Sequence, residues 1–562
     1  MIRTFKTHYV RKQMELTESL WEFEPCAGNY AGQKFPVAVP GCWENHPLFA
    51  DYRGEGIYRK TFQAQGNVRI ECKGVSHTAT VYLDGHEIGH HYNAYTPFSV
   101  VVSDLEPGRH MLEIKADNRF HKDSALHVPN DYMSYGGISR GVVVEELSDL
   151  YLEYVHVKTY RENEQWHVQV KAAVNVLKIR QNDEEDITIQ GKIKDTAFEW
   201  KLTDTAKKHY EFCTDLKIDG IEEWSPETPV LYQVELQMLR EDEVIDDLME
   251  RFGFREICVQ GKYILLNGKR LRIKGICRHE DHPDYGCALP YQTIYNDLVL
   301  IRQMGANSIR TAHYPNDEIF LDLCDELGIL VWEENHARGL EEDRMKHPLF
   351  EEQAEQVIRE MIFYHYNHPC IFIWGILNEC ASETLFGRSC YEKQFRLIRE
   401  MDDSRPCTFA SCKFFGDICF DLPDVISCNL YPRWYVDKPV RDYLNEVYDW
   451  IVEDGNGKGK PFIVSEIGAG GLYGCHNAYH GKWTEEYQAD ALSEQVSECL
   501  KFSESMGVYI WQFCDVRVSS EWFAGRPREM NNKGVVDEYR RPKAAYGRVK
   551  EIFEQYTNYY EE

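Results

Sequence analysis

Along the first 150 residues, apolar and polar positions alternate with a period of two. Val68-Arg69-Ile70-Glu71-Cys72 and Ala79-Thr80-Val81-Tyr82-Leu83 read as half-buried strands, and Asp84-Gly85 after the second is a hairpin-turn pair. No stretch there has the three- and four-residue spacing of an amphipathic helix, so residues 1–150 predict a jelly-roll-like β-sandwich. The same rhythm continues over 151–254, in Tyr154-Val155-His156-Val157-Lys158 and Trp166-His167-Val168-Gln169-Val170. That span is near the roughly 100 residues of an immunoglobulin-like β-sandwich.

Beyond residue 255 the rhythm becomes strand, then helix, repeated. Strands are expected over Leu271–Ile276, Ser308–Thr311, Ile329–Glu333, Ile371–Leu377, Cys407–Ser411, Val425–Asn429, Phe462–Glu466 and Val508–Phe513. Helices are expected between them, among them Tyr291–Met304, Glu318–Leu327 and Glu352–Tyr366. Eight such units over 255–562 predict a (β/α)8 TIM barrel. Barrels of this kind do their chemistry at the C-terminal ends of the strands. Here those ends hold Arg278-His279-Glu280, His313-Tyr314-Pro315, Glu333-Glu334-Asn335-His336, Asn378-Glu379, Asn429 with Tyr431, Glu466, and Trp511 with Asp515.

Glu379 and Glu466 stand out in that ring. Each closes an apolar run, Ile371-Phe372-Ile373-Trp374-Gly375-Ile376-Leu377 before Asn378-Glu379 and Phe462-Ile463-Val464-Ser465 before Glu466. A carboxylate there is expensive unless it has partners. Two carboxyl groups on different strands facing one pocket are what glycosidic bond cleavage requires.

Composition narrows the partners. Asp plus Glu number 92 against 63 Lys plus Arg, a net charge of −29, which argues against nucleic acid and anionic membranes. The acidic run Asp183-Glu184-Glu185-Asp186 reads as a solvated loop. No run approaches the roughly 18 apolar residues of a membrane span. Met1-Ile2-Arg3-Thr4-Phe5-Lys6 lacks the apolar core of a secretory signal, so a cytoplasmic location is expected. Eighteen cysteines with no C-x-x-C pair then read as reduced thiols.

Longer motifs resemble glycoside hydrolase family 2, which holds β-galactosidases, β-glucuronidases and β-mannosidases. Val39-Pro40-Gly41-Cys42-Trp43, Gly56-Ile57-Tyr58-Arg59 and Tyr135-Gly136-Gly137-Ile138-Ser139-Arg140 are similar to the family's sugar-binding-like N-terminal sandwich. Phe252-Gly253-Phe254-Arg255 and Leu266-Asn267-Gly268-Lys269 resemble its entry into the barrel. Asn307-Ser308-Ile309-Arg310-Thr311-Ala312-His313-Tyr314-Pro315 and Asn367-His368-Pro369 resemble further signatures.

The resemblance implies Glu379 as acid/base, Glu466 as nucleophile, and retention of anomeric configuration. Retaining pairs lie about 5–5.5 Å apart, against about 6.5–9.5 Å for inverting ones, and at the shorter distance one carboxyl is held protonated near neutral pH. It also implies Tyr431 as the tyrosine bonded to the nucleophile and Asn378 as the residue that holds the sugar 2-OH. Asn531-x-Lys533 is similar to the element by which β-glucuronidases grip a substrate carboxylate, and the following Arg541-Pro542-Lys543-Ala544-Ala545 resembles the same enzymes. The plainer reading of Lys533 is a rim lysine in a solvated loop. Asp131, His313, Tyr435, Trp511 and Arg528 (or Arg526) match further pocket positions of glucuronidases.

Two departures bear on the substrate. Arg338 stands where glucuronidases carry a small or apolar residue, and the neighbouring Asn335 and His336 resemble β-galactosidases. A guanidinium near the carboxylate and O4 suits the axial 4-OH of a galacturonide. The short connection from Gly339 to Glu351 suggests an open mouth. The expected substrate is therefore a small carbohydrate, or a glycan non-reducing end, that carries a β-linked galacturonic or glucuronic acid. No metal or cofactor is expected. Arg278-His279-Glu280-Asp281-His282 fits no familiar ligand spacing. A homo-oligomer is expected from the family. The alternatives are a β-galactosidase of the same family, for which Mg²⁺ and Na⁺ are common, and a non-catalytic glycan-binding protein on this fold.

Overall fold

The computed structural model describes residues 2–17, 19–178, 187–202 and 207–560. The acidic run at 183–186 lies outside them. Three bodies follow one another. In the first, an eight-stranded antiparallel sheet built on two long strands, Glu55–Cys72 and Phe98–Asp117, faces a small sheet of Gly41–Cys42, Val75–Ser76 and Gly137–Ile138. The predicted hairpin is present: Thr78–Leu83 turns into His86–Tyr92 with φ 50° at Asp84 and 81° at Gly85, the left-handed pair that tight hairpins need.

The second body packs a three-stranded sheet (Leu150–Glu162, Gln165–Val176, His209–Ile218) on a four-stranded one (Ile187–Ile193, Thr196–Leu202, Tyr232–Arg240, Glu243–Phe252). Inward residues such as Val168, Val170, Ile189 and Leu236 are buried between the two sheets.

The third body is a closed parallel barrel of eight strands. We label them β1 (Ile273–Cys277), β2 (Ser308–Arg310), β3 (Leu330–Glu334), β4 (Ile371–Ile376), β5 (Cys407–Ser411), β6 (Val425–Asn429), β7 (Phe462–Ile467) and β8 (Ser505–Ile510). All eight lie where apolar runs predict them. The largest shift is in β8, expected over Val508–Phe513. Past Ile510 the chain leaves the regular ladder, with Trp511 N bonded to Ile467 and Phe513 N to Cys277. Helix Glu318–Leu327 matches its predicted range, capped by Asp317 at its start and by Gly328 in the left-handed conformation at its end.

The barrel interior is filled rather than hollow. The Ser308 and Tyr509 hydroxyls bond at 2.6 Å, and the Trp332 ring meets Tyr509 edge-on. Gly375 in β4 makes this possible, since a Cβ there would lie 2.2 Å from Trp332 Nε1 and 2.7 Å from Glu334 Cβ. The first sandwich docks on the rim of the barrel. Tyr95 stacks on Tyr314 at 3.9 Å, and Arg140 reaches Glu280 at 2.8 Å and the Pro315 carbonyl at 2.8 Å. That docking brings the loop carrying Asn130 and Asp131 to the barrel. Among the described residues, no helix is long and apolar enough to cross a membrane.

Candidate active site

Strand alternation decides which rim carboxylates face inward. In β3, Glu333 points outward to His365 at 3.0 Å, while Glu334 points into the barrel. There it meets Arg310, from the end of β2, which organises the site. Arg310 is fully buried. Its Nε and Nη2 take Glu334 in a two-point pair at 2.9 and 3.0 Å, Nη1 donates to Glu466 Oε1 at 2.8 Å, and Nη2 donates to Asn378 Oδ1 at 2.8 Å. Its face lies 4.7 Å from the Trp332 ring. Burial opposes its charge, but Glu334 and Glu466 hold its pKa above the ordinary arginine value.

Glu466, at the end of β7, is 4% exposed and also accepts from the Tyr431 hydroxyl at 2.6 Å. Burial pushes its pKa up to about 7 against Arg310, the nearby Glu379 charge adds to the rise, and Tyr431 and Arg338 oppose it. Glu379 follows β4 after a turn with positive φ at Leu377 (47°) and at Glu379 itself (53°). Such backbone is strained by about 1–3 kcal/mol per residue and clusters at functional sites. The turn sets adjacent side chains on one neighbour, with Asn429 Nδ2 donating to Glu379 Oε1 at 2.9 Å and to Asn378 Oδ1 at 3.1 Å. Asn378 Nδ2 is buried with no hydrogen-bond partner among the described residues, a donor available to a ligand.

A second cluster flanks the carboxylates. Asp131 pairs with Arg526 through two contacts at 2.5 and 2.6 Å and accepts from Asn531 Nδ2 at 3.0 Å. Lys533 is 3% exposed, with Nζ 5.3 Å from the Tyr435 ring and 5.8 Å from that of Trp434. No carboxylate among the described residues pairs with it. Burial raises and Lys533 lowers the Tyr435 hydroxyl, with a net fall, although the Tyr435 ring is 59% exposed. Arg338 lies 3.5 Å from Glu379 Oε2 and donates to Asn130 Oδ1 at 2.7 Å. His313 Nδ1 lies 2.8 Å from Glu334 Oε1 and its ring stacks on Trp511 at 5.0 Å, and burial holds its pKa well below that of a free imidazole.

Glu379, Glu466, Asp131, His313, Arg338, Asn378, Tyr431, Tyr435, Trp511, Asn531 and Lys533 therefore gather at one end of the barrel. Arg528 does not. Its guanidinium is bound by Glu538 and its side chain is 47% exposed, so Arg526 is the arginine that faces the site. The two arginines are separated only by Pro527, and a loop has no periodicity to tell them apart. Of the two glutamates Glu466 is the more deeply buried, 4% exposed against 19% for the Glu379 side chain, and its burial pushes its carboxyl up.

Glu334 and Asn429 stood in the expected rim ring with no role assigned, while Arg310 and Asn130 were not among the expected site residues. Arg310 closes the short strand Ser308-Ile309-Arg310, and a charged residue at a strand end carries no signal that sets it apart. Other rim residues are structural: Arg278 pairs with Asp297 at 2.9 Å, Asp281 accepts from Tyr135 at 2.8 Å, and Asp515 holds Lys543 at 2.7 Å. His336 bonds the Tyr132 hydroxyl at 3.2 Å, and Asn335 bonds Gln394 at 3.1 Å.

This chain matches known proteins along most of its length. Residues 257–558 match the TIM barrel domain of glycosyl hydrolases family 2, residues 150–255 the glycosyl hydrolases family 2 model, and residues 51–146 the galactose-binding-domain-like model of that family. A crystal structure of a family 2 β-galacturonidase from Eisenbergiella tayi, bound to galacturonate, is 53% identical and covers 100% of both chains with a TM-score of 0.97. A Formosa agariphila protein provisionally named a β-glucuronidase is 27% identical over 91% of this chain. A β-galactosidase from Thermoanaerobacter pseudethanolicus is 30% identical over 63% of it. The chain spans 66% and 48% of the lengths of those two relatives. Matched across all three of its bodies, this chain belongs to glycoside hydrolase family 2 and is a glycoside hydrolase.

Proposed function

We propose that the protein is a retaining exo-β-hexuronidase that removes terminal β-galacturonic acid, and β-glucuronic acid less efficiently. One observation carries the uronide reading. Lys533 is a buried lysine without a carboxylate partner among the described residues, its Nζ beside the Tyr435 and Trp434 rings, in a protein of net charge −29. A buried charge of that kind calls for an anionic ligand, and a uronate supplies one. The whole-length match to a β-galacturonidase supports the same reading. Arg338, beside Glu379, supports the galacto epimer.

In this reading Glu466, ionised, attacks the anomeric carbon. Arg310 and Tyr431 hold its two oxygens and aim it. Glu379 donates its proton to the leaving oxygen, and that bond breaks as the bond from Glu466 to C1 forms. Glu379 then takes a proton from water, which attacks C1 and releases Glu466, so two inversions give retention. Asn378 Nδ2 donates to the sugar 2-OH, a bond that shortens as charge develops at C1. A cytoplasmic location and a homo-oligomer complete the proposal, and eighteen free cysteines support a reducing compartment.

The test is kcat/KM on p-nitrophenyl β-galacturonide, β-glucuronide and β-galactoside. The galacturonide is expected to be the best substrate, and a galactoside as good as either uronide would overturn the uronide reading. Lys533→Met is expected to lower kcat/KM on the galacturonide roughly 10²–10³-fold, the cost of stripping an anion of its buried charge partner. Its rate on the galactoside should change far less.

The pH profile follows from Glu466. The nucleophile must be ionised, and its pKa is about 7, so kcat/KM should fall tenfold per pH unit on the acid side of that value. An acid limb near 4.5 in the wild type would show that burial does not raise the nucleophile's pKa in the free enzyme.

A further inference from the structure

We infer that Asn130, on the loop that the N-terminal sandwich sends to the barrel, is a positioning residue that sets the choice between galacto and gluco epimers by fixing Arg338. This rests on the proposed uronidase activity and assigns part of its selectivity to a different domain.

Arg338 is a long side chain with many rotamers, and it follows β3 in irregular backbone. Among the described residues its one hydrogen bond to the protein is the 2.7 Å contact from Nη1 to Asn130 Oδ1. Its other neighbours, Glu379 Oε2 at 3.5 Å and the Trp522 ring at 5.6 Å from Cζ, are looser contacts. The direction of its free N–H groups is therefore set at Asn130.

Asn130 is built to hold. It is 4% exposed, and its backbone is clamped on both sides by Ser519, with Ser519 N donating to the Asn130 carbonyl at 3.1 Å and Asn130 N donating to Ser519 Oγ at 3.2 Å. Its Oδ1 also accepts from Asp131 N at 3.0 Å, which fixes the amide plane. The acceptor that aims Arg338 is thus tied to the segment after β8 and to the residue that pairs with Arg526 and Asn531.

The two epimers differ only in the direction of one hydroxyl. Telling them apart needs a donor placed within hydrogen-bond tolerance of one position and not the other, because bonds weaken steeply beyond about 3.2 Å. A guanidinium free to swing serves both epimers. One held by Asn130 serves one.

The experiment measures the ratio of kcat/KM on p-nitrophenyl β-galacturonide to that on the glucuronide. Asn130→Ala should lower this ratio about tenfold, as expected for losing a hydrogen bond to a charged group. Asn130→Asp keeps the acceptor and should hold the ratio within about twofold. Asn130→Ala combined with Arg338→Ala should give the ratio of Arg338→Ala alone, since the clamp has nothing left to aim. A purely structural role would lower both substrates together and leave the ratio unmoved, which would overturn the inference. If Arg338→Ala abolishes the preference while Asn130→Ala keeps it, the inference falls and the uronidase reading stands. A wild-type enzyme with no galacturonide preference would overturn the epimer assignment itself.

Discussion

Glu466→Gln is expected to lower kcat on an aryl β-galacturonide by about 10⁴–10⁶-fold with little change in KM, the loss seen when a covalent catalyst loses its nucleophile. Glutamine keeps the shape and one of the two acceptor oxygens, which can take Arg310 while its NH2 donates to the Tyr431 hydroxyl in place of Oε2, so binding should survive while the bond to C1 cannot form. Mass spectrometry after a 2-deoxy-2-fluoro galacturonide should show the wild type labelled at Glu466 and the variant unlabelled. Equal labelling would remove Glu466 from the reaction. The same variant reports on stability. Glu466 titrates at about 7 when folded, above the 4.5 of an ordinary glutamate, so the folded chain holds this proton more tightly than the unfolded one. That stabilisation is present below pH 4.5 and is lost as pH rises to about 7. Glutamine has no proton to lose, so at pH 8 the variant should be more stable than the wild type, by on the order of 1–3 kcal/mol in urea unfolding. The gain should shrink towards pH 4.5.

Arg310→Met should damage the protein twice. Glu334, Glu466 and Asn378 all lose a donor within 3.0 Å, and two buried carboxylates are left near each other without the cation between them. Removing one partner of a buried ion pair costs about 3–5 kcal/mol, which urea unfolding would measure. Activity should fall by at least 10², because nothing then orients Glu466 or the Asn378 amide. Arg310→Lys restores the charge but not the forked geometry, and is expected to recover stability more than rate. If Arg310→Met keeps both, the arginine is not the organiser of the site.

Much of this was legible beforehand, for definable reasons. A strand buried on both faces must be an apolar run, so all eight barrel strands announced themselves, and the carboxylates that interrupt Phe462–Ile467 and follow Ile371–Ile376 were visible as exceptions. Period-two alternation marked the sandwiches in the same way. Lys533 and Asn531 were visible only through resemblance, since three residues in a loop carry no pattern of their own.

What escaped was whatever depends on where side chains meet. Arg310 looks like any charged strand end until it is seen to bridge Glu334 and Glu466 from two other strands. The difference between Arg526 and Arg528 is a matter of which one reaches Asp131, 395 positions away in the chain. Asn130 is an ordinary loop residue until the sandwich docks and puts it against Arg338.

By itself, then, the order of residues determined the three bodies and placed two glutamates at the C-terminal strand ends of the barrel, because periodicity and the cost of burying charge act locally along the chain. Only the tertiary structure decided which arginine faces the site, which glutamate bears the heavier burial, and what holds Arg338. Those depend on hydrogen bonds a few ångströms long between residues hundreds of positions apart, and such distances exist only once the three bodies have packed together.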